Sequence, residues 1–168
     1  MAGQFTDVLE VLDRLRAEGI IVQYAVAGAM AVNIWDEPVA TQDVDVAVIV
    51  AGQHHPLDPL RPVLTWLTDR GYAIEGEHVL VAGVPVQFLP VWNPVVTEGV
   101  QQAAEVRYDP ADPDSPVLRV MRPTYLVASW QVDPAANSPK RRERAARLRE
   151  AGLVDEVLLA KLLRKVEP

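Results

Sequence analysis

Asp43 and Asp45 stand two residues apart at the head of an apolar run, Val44 to Val50. In a β-strand, residues two apart project to the same side. The two carboxylates would therefore point together, while Val44, Val46, Val48 and Val50 take the opposite face. Two carboxylates so close repel each other, and a divalent cation such as Mg²⁺ is the usual partner that lets both stay ionised. Upstream, Gly28 and Ala29 fall where a first strand would turn into a helix. Their small neighbours would admit a phosphate close to the backbone. The chain has two further acid-x-acid pairs, Glu75/Glu77 in a hairpin-like stretch and Asp112/Asp114 among prolines, but only Asp43/Asp45 opens a long β-branched run. Spacing alone fits a metal site and also fits two solvated acids at a strand entrance.

Composition narrows the chemistry. With 168 residues, 49% of them hydrophobic, the chain suits one domain spanning 1–168 with a single core. Sixteen basic residues against 23 acidic ones give a net charge of -7. That balance argues against general charge-driven binding to nucleic acid or to an anionic membrane, so any nucleic-acid contact would be local. The chain contains no cysteine, which excludes disulfides, thiolate catalysis and cysteine-ligated zinc. His54, His55 and His78 are too few and too poorly spaced for a histidine metal site, and they read as loop and strand-edge residues. The first residues lack a basic start followed by an apolar block, and no long apolar run occurs, so a soluble cytoplasmic protein is expected.

The elements that must position the acids alternate between helix and strand. Phe5, Val8, Leu9, Leu12 and Leu15 recur at helical spacing, with Asp7 and Glu10 as a capping box and Gly19 as the stop. Ile20 to Val26 reads as a buried strand, Gly28 to about Trp35 as a helix that Pro38 ends, and Val44 to Val50 as a strand buried on both faces. Pro56 to Arg70 has helical periodicity, followed by strands over Tyr72 to Ile74, His78 to Ala82 and Val84 to Leu89. Pro94 to Ala104 reads as a helix and Val117 to Met121 as a strand. Helices are expected over Pro123 to Gln131, from the Ser138-Pro139 cap to Glu150, and over Val154 to Lys165. The fold class is α/β, a mixed sheet over about 20–120 with a helical part over about 122–166.

The order strand, small-residue turn, helix, then the T-x-D-x-D of Thr41, Asp43 and Asp45 resembles the minimal nucleotidyltransferases of the DNA polymerase β superfamily, including toxin-type proteins of abortive-infection systems. The resemblance implies that Asp43 and Asp45 hold Mg²⁺, which bridges the phosphates of an NTP. It makes Gly28 and Ala29 the phosphate-contacting turn, although Ala29 matches that turn imperfectly. The third acid of the pattern falls on the strand Val84 to Leu89, where this chain has Gln87. An amide is neutral, cannot act as a general base near neutral pH and is a poor ligand for a second Mg²⁺. Losing a catalytic base typically costs roughly 10²–10⁴ in rate. Val39 and Gln42 also depart from the basic residues that relatives often place near the pair. Another acid, such as Glu98 or Glu37, could enter from a neighbouring loop.

The one concentrated positive run is Lys140-Arg141-Arg142-Glu143-Arg144, continued by Arg147 and Arg149. On a helix, Lys140, Arg144 and Arg147 would share a face able to clamp a triphosphate or an RNA backbone. The bland alternative is a solvated face paired with local acids. Trp35, Trp66, Trp92 and Trp130 are all expected in the core. Two functions stay open, beside a third reading as a purely structural domain that binds no nucleotide. One is Mg²⁺-dependent NTP binding with nucleotidyl transfer to an RNA, protein or small acceptor. The other is a catalytically lapsed nucleotide sensor or interaction module with an antitoxin-type protein partner.

Overall fold

The computed structural model describes residues 2–36, 41–52, 56–133 and 138–167. Its centre is a seven-stranded mixed sheet, β1 (Ile21–Val26), β2 (Val44–Val50), β3 (Ile74–Glu75), β4 (His78–Val81), β5 (Val84–Pro90), β6 (Ala104–Arg107) and β7 (Val117–Val120). The strands lie in the order β3-β4-β5-β2-β1-β7-β6. β2 is the pivot, antiparallel to β1 and parallel to β5. Its β-branched run suits a central strand covered on both sides. Val44, Val46 and Val48 are buried on one face, and that face meets helix α1 (Ala2–Ala17), which packs against β1, β4 and β5. Asp45 and Ala47 lie on the other face, which α4 (Pro94–Gln101) covers where it crosses β1 and β2.

The remaining helices are α2 (Gly28–Trp35), α3 (Arg61–Asp69), α5 (Pro123–Val132), α6 (Pro139–Glu150) and α7 (Glu156–Arg164). α5 is buried along most of its length and packs on α4, α6 and α7. Among the described residues, no helix is long and apolar enough to cross a membrane.

Several boundaries differ from the sequence expectations for physical reasons. The helix expected from Pro56 begins only at Arg61, and Leu57 is 89% exposed. Pro59 keeps its predecessor out of the helical region, so the leucine periodicity runs past the real start. Asp7 and Glu10 lie inside α1 rather than capping it, because the helix already runs from Ala2. Ser138 occupies the N-cap of α6, but its side chain makes no capping hydrogen bond. The expected strand over Tyr72 to Ile74 is the two-residue β3, and the helix expected to reach Ala104 ends at Gln101. β6 then forms by pairing antiparallel with β7, a non-local partner that local periodicity does not reveal.

α7 is tied down at its start by Asp155, whose carboxylate accepts hydrogen bonds from the Val157 and Leu158 amides, each 3.0 Å. Its Leu159 and Leu162 are buried. Asp155→Ala is expected to lower stability by about 1 kcal/mol, the usual loss of an N-cap. Denaturant titration checks this, and an unchanged midpoint would mean the cap contributes nothing.

Candidate active site

The site begins where β1 ends. Ala27 donates its amide to the Asp45 carbonyl at 2.8 Å, and the β1–β2 register sets Val26 against Val46. The chain then turns into α2 through Gly28, whose φ is +57. A side chain there would be strained by the backbone alone. It would also collide, since a Cβ on Gly28 would lie 1.9 Å from Asp45 Oδ2. The glycine thus lets the Asp45 carboxylate lie against the first turn of α2. Ala29 is buried one residue further on, so of the two turn residues only Gly28 lines the cleft.

Burial is the largest influence on Asp45 and raises its pKa, and the neighbouring Asp43 pushes in the same direction. Arg144, His78 and Arg141 oppose the shift. Among the described residues the Asp45 carboxylate has no hydrogen-bond or ion-pair partner. Asp43 is differently placed. Thr41 Oγ1 donates to its Oδ1 and to its backbone carbonyl, each at 3.0 Å, and His78 Nε2 lies 3.5 Å from its Oδ2. Thr41 therefore orients the first acid of the pair. Gln42 is exposed, and Val39 and Glu37 lie outside the described residues.

Gln87 is the direct register partner of Asp45 across β2 and β5. Lateral neighbours in a sheet share a face, so the amide stands beside the carboxylate. Gln87 Nε2 donates to Glu77 Oε2 at 3.1 Å. Continuing the β4–β5 register by one residue sets His78 opposite Gln87. The β3–β4 hairpin thus brings His78 to Asp43 and Glu77 to Gln87. Neither residue belongs to the site expected from sequence, although the hairpin turn beside them at Gly76 is a local signal. Glu98, the acid expected to enter from a loop, is engaged elsewhere. Tyr125 Oη donates to it at 2.9 Å, and Lys165 forms an ion pair with it. The Lys165 hydrogen bond lowers the Glu98 pKa, while burial and Glu98 push the Tyr125 hydroxyl up to about 12.

Across from Asp45, α6 closes a cleft of about 270 Å³ that Gly28, Asp45, Trp92, Arg141 and Arg144 line. α6 is held in place by its own arginines. Arg147 Nη2 pairs with Asp36 at 3.1 Å, Arg149 with Glu156 at 2.7 Å, and Arg141 with Asp133. The face turned to the cleft is therefore Arg141 and Arg144, three residues apart, and not the expected set of Lys140, Arg144 and Arg147. Lys140 is exposed and lines no part of this cleft. Trp92 is a second correction. Trp66 and Trp130 are buried, and Trp35 donates its indole N–H to the Met121 carbonyl at 2.8 Å. Trp92 is 54% exposed at the cleft. Its place just beyond β5 removes it from the packed sheet.

The architecture is a nucleotidyltransferase-like fold, with an acid pair at the head of β2 and a glycine turn beside it. The solution structure of the antibiotic-resistance factor ANT(2″)-Ia is similar, with a TM-score of 0.52 and 11% identity over 97% of this chain and 89% of that one. A crystal structure of ANT(2″)-Ia with adenylyl-2″-tobramycin scores 0.47 at 11% identity, covering 94% of this chain and 93% of that one. An antigenic nucleotidyltransferase-like protein from Paracoccidioides brasiliensis scores 0.45 at 13% identity, covering 95% and 90%. No protein-family model and no curated protein sequence matches the chain.

Because the folded-state pKa of Asp45 is raised, its contribution to stability is present below the ordinary aspartate value of 3.8 and is lost as pH rises through the raised value. Asp45→Asn should therefore raise the Tm of the metal-free protein at pH 7 while changing it little near pH 3. Calorimetry at both pH values checks the sign, and a lower Tm at pH 7 would contradict it. Gly28→Ala should destabilise by roughly 1–3 kcal/mol through backbone strain and the displaced carboxylate, which denaturant titration would read directly.

Proposed function

We propose that the protein binds a nucleoside triphosphate with Mg²⁺ in the cleft between β2 and α6, and that nucleotidyl transfer to a hydroxyl acceptor is its reaction. The carrying observation is the Asp45 carboxylate, lodged against the Gly28 turn, coupled to Asp43 and facing Arg144 with no ion-pair partner among the described residues. Such a carboxylate resists ionising until a cation arrives. The donor set fits Mg²⁺, which prefers oxygen and is commonly held by one or two carboxylates together with substrate phosphates. Among the described residues there is no group of three or more acidic, histidine or cysteine side chains that could cage a metal. Asp43 and Asp45 would hold the ion, and it would neutralise charge on the phosphates during transfer.

The chain's own residues account for the rest of the recognition. Gly28 opens the backbone to a phosphate, and Thr41 holds Asp43 in place. Arg144 reaches the triphosphate, while Arg141, already paired with Asp133, adds positive potential at shorter range. The exposed Trp92 indole offers a face on which a base can stack. Cytoplasmic NTP pools are the matching environment. A second reading is favoured by Gln87, which stands beside Asp45 where a carboxylate would serve as base. In that reading the protein binds nucleotide without transferring it and acts as a sensor or as a toxin-antitoxin type interaction module.

Titration calorimetry with each NTP should show binding that requires Mg²⁺ and disappears in Asp43→Ala/Asp45→Ala. Arg144→Ala should weaken it about tenfold, the loss of one charged hydrogen bond. Trp92→Ala should weaken it by a similar factor for every base. An NTP affinity indifferent to Mg²⁺ and to the double substitution would remove both readings. Binding without transfer of an α-labelled nucleotide, with transfer gained in Gln87→Asp, would select the second.

A further inference from the structure

A second cavity, of about 320 Å³, lies beside the nucleotide cleft, and Leu89 and Pro90 line both. Its other walls include Leu60, Leu64 and Ile74, and the one charged residue among its described lining is Glu77. Glu77 accepts the 3.1 Å hydrogen bond from Gln87 Nε2. Gln87 in turn stands beside Asp45 in the β2–β5 register. The position where the fold lacks an acid therefore holds a neutral donor that binds and orients an acid from the next hairpin. An amide has one donor end and one acceptor end. In Gln87 the donor end is the one on Glu77.

We propose that this cavity is the acceptor site, that Glu77 is the catalytic base acting in it, and that the acceptor is a neutral, apolar-bodied alcohol. The proposal rests on the NTP-binding reading above. In the step, the acceptor hydroxyl gives its proton to the Glu77 carboxylate as its oxygen forms a bond to the α-phosphorus. The bond from that phosphorus to the bridging oxygen breaks, and pyrophosphate leaves with the electron pair. The products are the nucleoside monophosphate ester of the alcohol, pyrophosphate and one proton. The class of acceptor follows from the walls. Apolar side chains favour a hydrocarbon body, and a lone carboxylate that must receive a proton gives little reward to a polycation.

The test uses the full chain, Mg²⁺ and an α-labelled NTP that binds by calorimetry. Water serves as a surrogate nucleophile, or cyclohexylmethanol and ethanolamine are supplied as neutral and cationic alcohols. Release of nucleoside monophosphate and formation of its esters are read by mass. Glu77→Gln should reduce the rate roughly 10²–10⁴-fold, the span of a lost general base. NTP affinity and Tm should stay unchanged, since the residue is exposed on a hairpin. Gln87→Asp should restore the rate in the Glu77→Gln background by putting the acid next to Asp45, which a merely structural Glu77 would not permit. Leu64→Trp should block ester formation while sparing NTP binding, and cyclohexylmethanol should outcompete ethanolamine. Full activity in Glu77→Gln overturns the assignment of the base, as does a wild-type chain that binds Mg²⁺-NTP but never turns it over. Preference for ethanolamine, or reaction with water alone, overturns the acceptor class. Loss of Mg²⁺-dependent NTP binding in the wild type would instead overturn the reading on which the proposal rests.

Discussion

The closeness of Asp45 to Gly28 governs how the rest of the site is built. A carboxylate oxygen occupies the space that any side chain at position 28 would need, and the backbone there has a positive φ that only glycine adopts without strain. The contact joins the end of β1 to the head of β2, and the Ala27–Asp45 backbone hydrogen bond repeats that join in the main chain. The valines on the far face of β2 fix the strand in the core, so the carboxylate cannot retreat from the turn. The result is a charge held against the packed sheet with little internal compensation. Such an arrangement is costly unless a cation or a function accompanies it.

The helical half of the molecule answers that charge from across the cleft. α6 has a strongly polar sequence with only Ala145 and Leu148 buried, so packing alone gives it a weak hold. Ion pairs from Arg141, Arg147 and Arg149 to three separate elements set its rotation. Exposed pairs are each worth little, but partly buried ones spread along one helix can fix an orientation. Arg144 is thereby turned toward Asp45. The Glu98–Tyr125–Lys165 cluster similarly joins α4, α5 and the end of α7, and it keeps the helical layer against the sheet.

Much of this was legible locally. β1, α2 and β2 lie within a residue of their expected bounds, because apolar runs between turn residues state their own limits. The acid pair could be singled out from the other two acid-x-acid pairs because only it opens a buried strand. Legibility failed where long-range contacts decide. β6 exists because β7 pairs with it, Leu57 is exposed although it fits the helical period, and Trp92 lies at the cleft although it resembles the other tryptophans. Lys140 and Arg144 are a natural helical pair by spacing, yet the rotation set by distant acids turns Arg141, and not Lys140, inward.

By itself the sequence determined the α/β alternation, the central strand and the glycine turn. These follow from periodicity, φ preference and residue chemistry, all of which act over a few positions. Only the tertiary structure decided what stands around Gln87. Strand pairing carries Glu77 and His78, remote from Asp45 in sequence, to the same end of the sheet, and no local pattern encodes which hairpin lies beside which strand. The register between β2, β5 and β4 arises from burying their valines together, and the acids and amides travel with it.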